Sequence, residues 1–372
     1  MRRMTLILSL VFVLSISLFA YAQDEGGYSF SNPVERPEKI TMKGLDGDEP
    51  GWFTELSLTA EEVAAVRAMN LRIAYEMPNQ SEFSESVVRG LQAATEALNI
   101  DIVGLAVCEN DPHVQKENME NFAALGVDYV VSQAQEVDLA AATFNPLKDA
   151  GIKLVFQANV PTGYRAGVDY VGVAATDYYE YGIQAADALA EAIGYEGKVA
   201  IIYLASVNQV SNTRDQAFVN RIKTAYPNIE LVEEAGIEAP VYASAVTSAL
   251  LTRHPDLDGL HVTFVEPATE ALEVVRSLGR TDLKMSTVDF NSMGALDLIR
   301  GGNIVSIIVD RPYVFGQKMA LMVAYDALGK ELYSSTYMGP IVAVTPENIE
   351  VEWLAGFGQE LPRELKKALD SR

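Results

Sequence analysis

From Leu71 onward, short apolar runs alternate with longer segments of helical periodicity, and this alternation constrains the fold more than any other feature of the chain. Strands that alternate with helices form right-handed βαβ units, which assemble into parallel sheets. The predicted strands are "LRIAYE", "IDIVGLAV", "VDYVVS", "KLVFQ", "YVGVA", "KVAIIYL", "IELVEEA", "GLHVTF", "KMSTVDF" and "IVSIIV". Because these runs are too many for one comfortable sheet, we predict an α/β protein with two doubly wound parallel-sheet lobes and a break at Asp169–Val173.

The segments between the predicted strands have the amphipathic periodicity of helices. The predicted helices span 83–98, 177–193, 211–226, 241–253, 266–278, 291–300 and 313–328. Ahead of the alternating region, residues 23–70 form a polar lead-in that contains proline and glycine. It ends in a short helix, which the capping box of Thr59 and Glu62 predicts.

The residues that follow the predicted strands are the candidates for a binding site, because ligands of open parallel sheets bind beyond the carboxyl ends of the strands. The candidates at these positions are Gln80, Phe83, Gln157, Asn159, Asp177, Arg214, Phe264, Glu266, Asp289, Asn291 and Asp310. Asp177 and Asn291 have the residue type of a helix N-cap, which is an alternative role for them. For Asp310, which follows a buried strand, the alternative is a local surface pair with Arg311.

The chemistry of this set suits a small, neutral, hydroxyl-rich ligand in a cleft between the lobes. Carboxylates and amides form hydrogen bonds with vicinal hydroxyls, a guanidinium offers forked donors, and an aromatic ring covers the C–H face of a sugar. Phosphate fits poorly, since no glycine-rich P-loop or G-x-G-x-x-G motif follows a strand.

Signs of catalysis or of a bound metal are scarce. The histidines His113, His254 and His261 have no partner at metal-ligand spacing, and no G-x-S-x-G elbow is present. The single cysteine, Cys108, cannot form an intramolecular disulfide. We therefore expect no metal, no cofactor and no enzymatic activity. The alternative is a secreted enzyme that acts on glycosides through paired carboxylates.

Residues 1–22 have the layout of a cleaved secretory signal peptide. A pair of arginines precedes an apolar stretch, and "AYA" is a small-residue cleavage site that ends at Ala22. A single transmembrane anchor is the alternative, but the apolar run is short and no basic cluster follows it. We predict a soluble periplasmic protein, and its formal net charge of −23 disfavours nucleic acid and anionic membranes as partners.

Over residues 71–350, the chain resembles the periplasmic sugar-binding proteins of ABC importers, of the ribose-binding type. The segments that carry the resemblance are "NQSEFSESVVRGLQAA", "AATDYYEYGIQAADALAEAI", "SNTRDQAF", "HPDLDGLHVTFVEPATEALEVVRSLGR", "STVDFNSMGALDLIRGGNI" and "SIIVDRPYVFGQKMA". The resemblance implies the type 1 periplasmic binding protein fold, in which three hinge crossings join two lobes that close on one ligand. The implied division is an extension at 23–70, lobe 1 at 71–175 plus 312–330, lobe 2 at 176–311 plus 331–352, and a tail at 353–372.

The resemblance also implies roles for individual residues. By position, Arg214 would clamp ligand hydroxyls, Asp289 would accept two of them, and Phe83 would lie against the sugar ring. The other residues that the resemblance places in the cleft are Gln80, Asn159 and Asp310. Three departures argue against ribose itself: Ala158-Asn159 replaces an Asp-Arg pair, Phe264 replaces an Asn, and Glu82-Phe83 replaces two aromatics.

Two segments, "LVFQANVPTGYR" and "YLASVNQVSNTRDQAF", are similar to the periplasmic receptor for autoinducer-2, a boron-bearing furanosyl signal. The family's second arginine, which helps to neutralise the borate, falls where this chain has Asp310, and an acid there would repel an anion. We therefore predict a monomeric receptor that passes a neutral sugar or polyol to an inner-membrane ABC permease. The alternative within this class is a signal receptor that acts on a membrane sensor kinase.

Overall fold

The computed structural model describes residues 26–30, 33–205 and 209–372, so the predicted signal peptide lies outside the described residues. The strands are β1 (Gly51–Trp52), β2 (Arg72–Met77), β3 (Asp101–Val107), β4 (Tyr129–Ser132), β5 (Lys153–Gln157), β6 (Val173–Thr176), β7 (Gly197–Leu204), β8 (Ile229–Ile237), β9 (Gly259–Val262), β10 (Lys284–Val288), β11 (Ile304–Val309), β12 (Thr336–Gly339) and β13 (Val342–Val344). The helices are α1 (Ala60–Met69), α2 (Glu82–Leu98), α3 (Pro112–Ala124), α4 (Ala141–Asp149), α5 (Tyr178–Ala192), α6 (Gln209–Ala225), α7 (Ala243–Arg253), α8 (Val265–Ser277), α9 (Ser292–Ile299), α10 (Pro312–Ala327), α11 (Ile349–Phe357) and α12 (Arg363–Asp370).

The strands form two sheets, and each sheet is the centre of one lobe. The sheet of lobe 1 has the order β1-β12-β6-β5-β4-β2-β3, and the sheet of lobe 2 has the order β13-β11-β10-β9-β7-β8. In both lobes the first of five successive strands lies between the second and the third, which is a doubly wound order. Pairing is parallel except for β13, which runs antiparallel to β11. The predicted α/β fold with two parallel-sheet lobes is confirmed.

Three segments cross between the lobes. The first leads from β6 into α5, which packs on β9, β10 and β11. The second leads from β11 back into α10, which packs on α2 and on β5 and β6. The third leads from β12 to β13. These three crossings are the hinge that the resemblance implied, and the ends of β6 and β11 lie within it.

The structure differs from the sequence prediction in the last quarter of the chain. The resemblance places residues 331–352 in lobe 2, but β12 pairs with β6 in the sheet of lobe 1 and only β13 joins the sheet of lobe 2. The strands β1, β12 and β13 have two to four residues. Runs of this length carry too little periodicity to be recognised from the sequence.

The lead-in is part of the core of lobe 1. Its buried apolar side chains, which pack in one cluster with residues of β2, α2 and α10, are Tyr28, Phe30, Trp52, Phe53, Leu56, Leu58 and Val66. The Thr59–Glu62 capping box begins α1, as predicted. β1 extends the sheet by pairing with β12. The extension is therefore packed into lobe 1.

The lead-in also contacts the hinge. The Asp48 carboxylate accepts hydrogen bonds from the hydroxyl and the backbone N–H of Ser335, each at 2.7 Å, next to β12. The backbone N–H groups of Thr41 and Met42 donate to the carboxylate of Asp177, which follows β6 in the first crossing. Residues 41–48 thus run along the sheet of lobe 1, from the start of β12 to the first crossing.

Replacement of Gly316 by alanine is expected to destabilise the protein by about 1–3 kcal/mol, because α2 and α10 pack without space for a Cβ at this point. A Cβ on Gly316 would lie 2.1 Å from the carbonyl oxygen of Val87 and 2.3 Å from the backbone nitrogen of Leu91. The matched control is Gly356→Ala in α11, where the nearest heavy atom is 3.7 Å away. Urea unfolding should show a loss only for Gly316→Ala, and the packing argument is wrong if both variants match the wild type.

Candidate ligand-binding site

One guanidinium and two carboxylates meet between the lobes, where the chain leaves β10 and β11. Asp289 follows β10 directly, and Asp310 follows β11 in the second hinge crossing. Arg214 projects from α6, and its Nη1 lies 3.3 Å from Oδ2 of Asp289. The guanidinium also lies over the Tyr181 ring, 5.3 Å from the ring centre. Its Nε is buried and has no hydrogen-bond partner among the described residues.

Because these groups are buried, the pKa of each depends strongly on the charges of its neighbours. Burial acts to lower the pKa of Arg214, but Asp289 and other nearby acidic groups raise it above its ordinary value, so the guanidinium stays charged. Burial raises the pKa of Asp289, although Arg214 opposes the change. For Asp310, burial and the charge of Asp289 raise the pKa to about 7, against the effects of the Tyr181 hydroxyl, Lys318 and Arg214.

Glu266, in the first turn of α8, belongs to the same electrostatic group. Burial and the charge of Asp289 raise the pKa of Glu266 to about 7. The Glu266 carboxyl group is therefore partly protonated near neutral pH, whereas Arg214 stays charged. Four of the predicted site residues, Arg214, Glu266, Asp289 and Asp310, are thus brought together by the fold.

A small apolar cavity of about 10 Å³ borders the two carboxylates. Its lining residues are Phe83, Asp289, Phe290, Val309, Asp310, Pro312 and Phe357. The Phe83 ring comes from lobe 1 and packs edge-to-face against Phe315, with 6.1 Å between the ring centres. On the side of lobe 2, the Phe290 ring packs at a tilt against Phe357 of α11, with 5.8 Å between the ring centres. The lobes are therefore close together in this structure, with aromatic rings on one side of the charged group.

Lys318 is a member of this region that the sequence analysis did not select. It lies on α10, has no exposed surface, and its ammonium group donates to the carbonyl oxygens of Ala175 at 2.9 Å and Tyr337 at 3.4 Å. Burial lowers the pKa of Lys318 to about 7, and the charge of Asp310 opposes this change. In the sequence, Lys318 has the appearance of an ordinary helix-surface lysine, so only the fold reveals it.

The C-terminal segment that contains α11 also contributes to this region, although the sequence analysis assigned it no role. At its end, α11 is held to lobe 1, because Ser86 Oγ donates to the carbonyl oxygen of Gly356 at 2.7 Å and Arg89 Nε donates to that of Phe357 at 3.1 Å. Near its middle, Glu352 forms a buried ion pair with Arg311 of the second crossing, with a nitrogen–oxygen distance of 3.2 Å. Phe357 of α11, which lies beyond the end of the resemblance at residue 350, also lines the small cavity beside the carboxylates.

Other predicted site residues are engaged elsewhere. Asp177 caps α5 by accepting from the N–H of Glu180 at 3.3 Å, besides its contacts with the lead-in, and Asn291 caps α9 by accepting from the N–H of Gly294 at 2.7 Å. The side-chain oxygen of Gln157 accepts from the Tyr75 hydroxyl at 3.3 Å. The remaining three lie at strand ends: Asn159 is buried after β5, Gln80 is exposed after β2, and Phe264 is half-buried ahead of α8.

The titratable residues away from the cleft have the environment of structural groups. Burial lowers the pKa of His261 to about 3, and its ring stacks on Phe218 with 4.2 Å between centres. Glu76 accepts hydrogen bonds from Gln115, Asn118 and Ser132, at 2.6, 2.9 and 3.0 Å. Among the described residues, no group of three or more histidine, cysteine or acidic side chains could hold a metal ion. No described helix is both long and apolar enough to cross a membrane.

Comparisons with known proteins agree with this architecture. A family model described as "Periplasmic binding protein domain" matches residues 73–331. A search of curated proteins returns no significant match. Among solved structures, an ABC transporter solute-binding protein from Agrobacterium vitis, bound with alpha-D-tagatopyranose, is 21% identical, with a TM-score of 0.69 over 77% of this chain and 98% of that chain.

Two further solved structures have the same fold. AraP, an arabinose-binding protein from Geobacillus stearothermophilus, is 20% identical, with a TM-score of 0.66 over 76% of this chain and 98% of that chain. A periplasmic solute-binding protein of an ABC transporter from Actinobacillus succinogenes 130z, with bound D-allose, is 22% identical, with a TM-score of 0.66 over 75% of this chain and 98% of that chain.

Proposed function

Because the chain belongs to the periplasmic binding protein family, we propose that it is a periplasmic receptor for one small, neutral sugar or polyol. The ligand binds between the lobes, in contact with Arg214, Asp289 and Asp310, and the closed complex delivers it to an inner-membrane ABC permease. The mature protein begins after Ala22, acts as a monomer and does not turn over its ligand. The protein is then a carrier, which binds its ligand and releases it unchanged.

The balance of charge in the cleft is the observation that carries the choice of a neutral ligand. Two basic side chains, Arg214 and Lys318, lie near the carboxyl groups of Asp289, Asp310 and Glu266. An anionic ligand would leave the carboxylates buried without enough positive charge, and burial of an uncompensated charge is strongly unfavourable. A neutral polyhydroxyl ligand can form hydrogen bonds with both the carboxylates and the guanidinium, since each hydroxyl can donate to a carboxylate and accept from the guanidinium.

The aromatic side of the cleft supports the same class of ligand. Phe83, Phe290 and Phe357 border the carboxylates, and flat rings cover the C–H faces of pyranose or furanose sugars. The related structures from Agrobacterium vitis and Actinobacillus succinogenes hold a ketohexose and an aldohexose, tagatopyranose and allose. A monosaccharide of this size is the expected cargo.

A thermal-shift screen of residues 23–372 against pentoses, hexoses, polyols and autoinducer-2 tests the proposal. A tight ligand should raise the unfolding midpoint by several degrees, because a thousandfold excess over Kd stabilises the folded state by about 4 kcal/mol. The matched control is Asp310→Ala, which should fold and lose the shift. A shift only with autoinducer-2 would replace the sugar by the borate signal. No shift with any compound, or release of a cleaved product, would contradict the proposal.

A further inference from the structure

The Arg214 guanidinium is buried, but its hydrogen bonds do not by themselves fix its orientation. Nη1 donates to Oδ2 of Asp289 at 3.3 Å, which is long for a hydrogen bond between charged groups, and Nε has no partner among the described residues. A planar guanidinium with five N–H donors can rotate about one such contact. Forked hydrogen bonding to two ligand hydroxyls requires a single orientation of this plane, so a further contact is needed to hold it.

The Tyr181 ring is the group that packs against the face of this guanidinium. The guanidinium carbon of Arg214 lies over the ring, 5.3 Å from its centre, and the Tyr181 side chain is almost fully buried. The attraction between a guanidinium and an aromatic face is stronger when both groups are removed from water. Because the ring covers one face, the edges of the guanidinium, which carry the N–H donors, point toward the other groups of the cleft.

The helices that carry these two side chains are in close backbone contact beside the ring. A Cβ on Gly182 of α5 would lie 2.1 Å from the carbonyl oxygen of Arg214 in α6, so no side chain separates the two helices here. The next residue of α6, Asp215, accepts from the Thr263 hydroxyl at 2.8 Å, which ties α6 to the end of β9. The Arg214 side chain therefore cannot move away from the Tyr181 ring unless α5 and α6 separate.

The other end of Tyr181 acts on a different group of the cleft. Its hydroxyl lowers the pKa of Asp310, against the larger effect of burial. The ring and the hydroxyl thus affect two separate groups, the guanidinium and the carboxyl group. A test of the ring has to leave the hydroxyl out of the comparison.

We propose that Tyr181 is a positioning residue of the ligand site, whose ring holds the Arg214 guanidinium in the plane that donates a forked pair of hydrogen bonds to two adjacent ligand hydroxyls. The inference rests on the proposed function, because it concerns the same cleft. Tyr181 acts through Arg214, so its contribution to affinity should disappear when the arginine is absent. The gain comes from an orientation that is fixed before the ligand arrives.

Two variants separate the ring from the hydroxyl. Tyr181→Phe keeps the ring, and Tyr181→Met replaces it with a flexible side chain that fills much of the same space. Both are titrated by calorimetry with the sugar or polyol from the thermal-shift screen. The titration is made at about pH 8.5, above the pKa of about 7 of Asp310, so that this carboxylate is ionised with or without the hydroxyl. We expect Tyr181→Met to bind about tenfold more weakly and Tyr181→Phe to bind within about threefold of the wild type.

A double-mutant cycle distinguishes positioning from general packing. In the background of Arg214→Met, the change Tyr181→Met should cause no further loss of affinity, because no guanidinium remains to be held. Titration at high ligand concentration measures the weakened binding. Equal losses in both backgrounds would show that the ring acts only on the fold and would overturn the proposal, as would a large loss in Tyr181→Phe.

The matched control is Tyr226→Met. Arg221, also on α6, lies over the Tyr226 ring at 5.7 Å from its centre, but this pair is partly exposed and contacts Asp187 outside the cleft. The same type of contact is therefore removed without a change at the ligand site, and affinity should equal that of the wild type. If Tyr226→Met loses as much affinity as Tyr181→Met, the effect belongs to α6 in general and the proposal is wrong.

A measurement on the wild-type protein does not depend on whether Tyr181→Met folds. The nuclear magnetic resonance signal of the Arg214 Nε–H group, assigned as the signal that Arg214→Met lacks, should lie upfield of those of exposed arginines because of the Tyr181 ring current. A signal at the position of exposed arginines would contradict the proposal. If the wild type binds no sugar or polyol, the proposed function fails, whereas equal binding by the wild type and Tyr181→Met rejects only the positioning role.

Discussion

Replacement of Arg214 by methionine is expected to weaken ligand binding by about two to three orders of magnitude, because it removes a buried charge with donors that face the cleft. The guanidinium makes one hydrogen bond to Asp289, and its Nε has no partner among the described residues, so donors remain for the ligand. Methionine fills a similar volume but leaves Asp289 without its counter-charge. Calorimetric titration with the ligand found in the screen measures the loss.

The control for this variant lies on the same helix. Arg221 is paired with Asp187 through two hydrogen bonds, at 2.6 and 2.9 Å, but both side chains are more than a third exposed. Exposed ion pairs contribute little, so Arg221→Met should retain wild-type affinity. Comparable binding by both variants would show that Arg214 does not contact the ligand, and the remaining strand-end residues would then be the candidates.

Replacement of Phe53 by alanine is expected to lower the free energy of unfolding by about 3–5 kcal/mol, as for other buried phenylalanines. Phe53 has no exposed surface, and its ring contacts those of Phe30 at 4.9 Å and Trp52 at 5.5 Å. The loss would show that the lead-in is a structural part of lobe 1. Chemical denaturation of the mature protein measures it.

The comparison for Phe53→Ala is Leu139→Ala. The Leu139 side chain is 69% exposed, so its truncation should change the unfolding free energy by less than about 0.5 kcal/mol. If Phe53→Ala is as stable as this control, the lead-in packs on lobe 1 without contributing to its stability. In that case a protein that begins at residue 59 should fold as well as the mature one.

Most strands of the two lobes were predictable because they are short runs with a buried apolar centre. In Lys153–Gln157 the apolar centre Leu154–Phe156 is buried, and the observed β5 has the predicted limits. The helices were predictable for a similar reason, since α2 and α8 keep apolar side chains on one face. The order of strands followed from the general rules of βαβ connection, not from any single residue.

The site was predictable only in part. Glu266, Asp289 and Asp310 follow strands or begin helices, and the topology alone brings such positions to one edge. Arg214 lies in the second turn of α6, and it was selected because the resemblance places an arginine there. Asp177, in contrast, caps α5 with one carboxylate oxygen and accepts from Thr41 and Met42 with the other, and the second contact depends on how a segment without periodicity folds back. Lys318 and Phe357 lie inside helices, where a binding residue has no local signature.

The attachment of α11 to both lobes has a consequence for the timing of ligand exchange. One end of the helix is hydrogen-bonded to α2 of lobe 1, and Trp353 and Phe357 pack against the Phe290 ring of lobe 2. For the cleft to open, one of these attachments must separate. Under the function proposed above, we expect the dwell time of the ligand to depend on how often these attachments of the C-terminal helix separate.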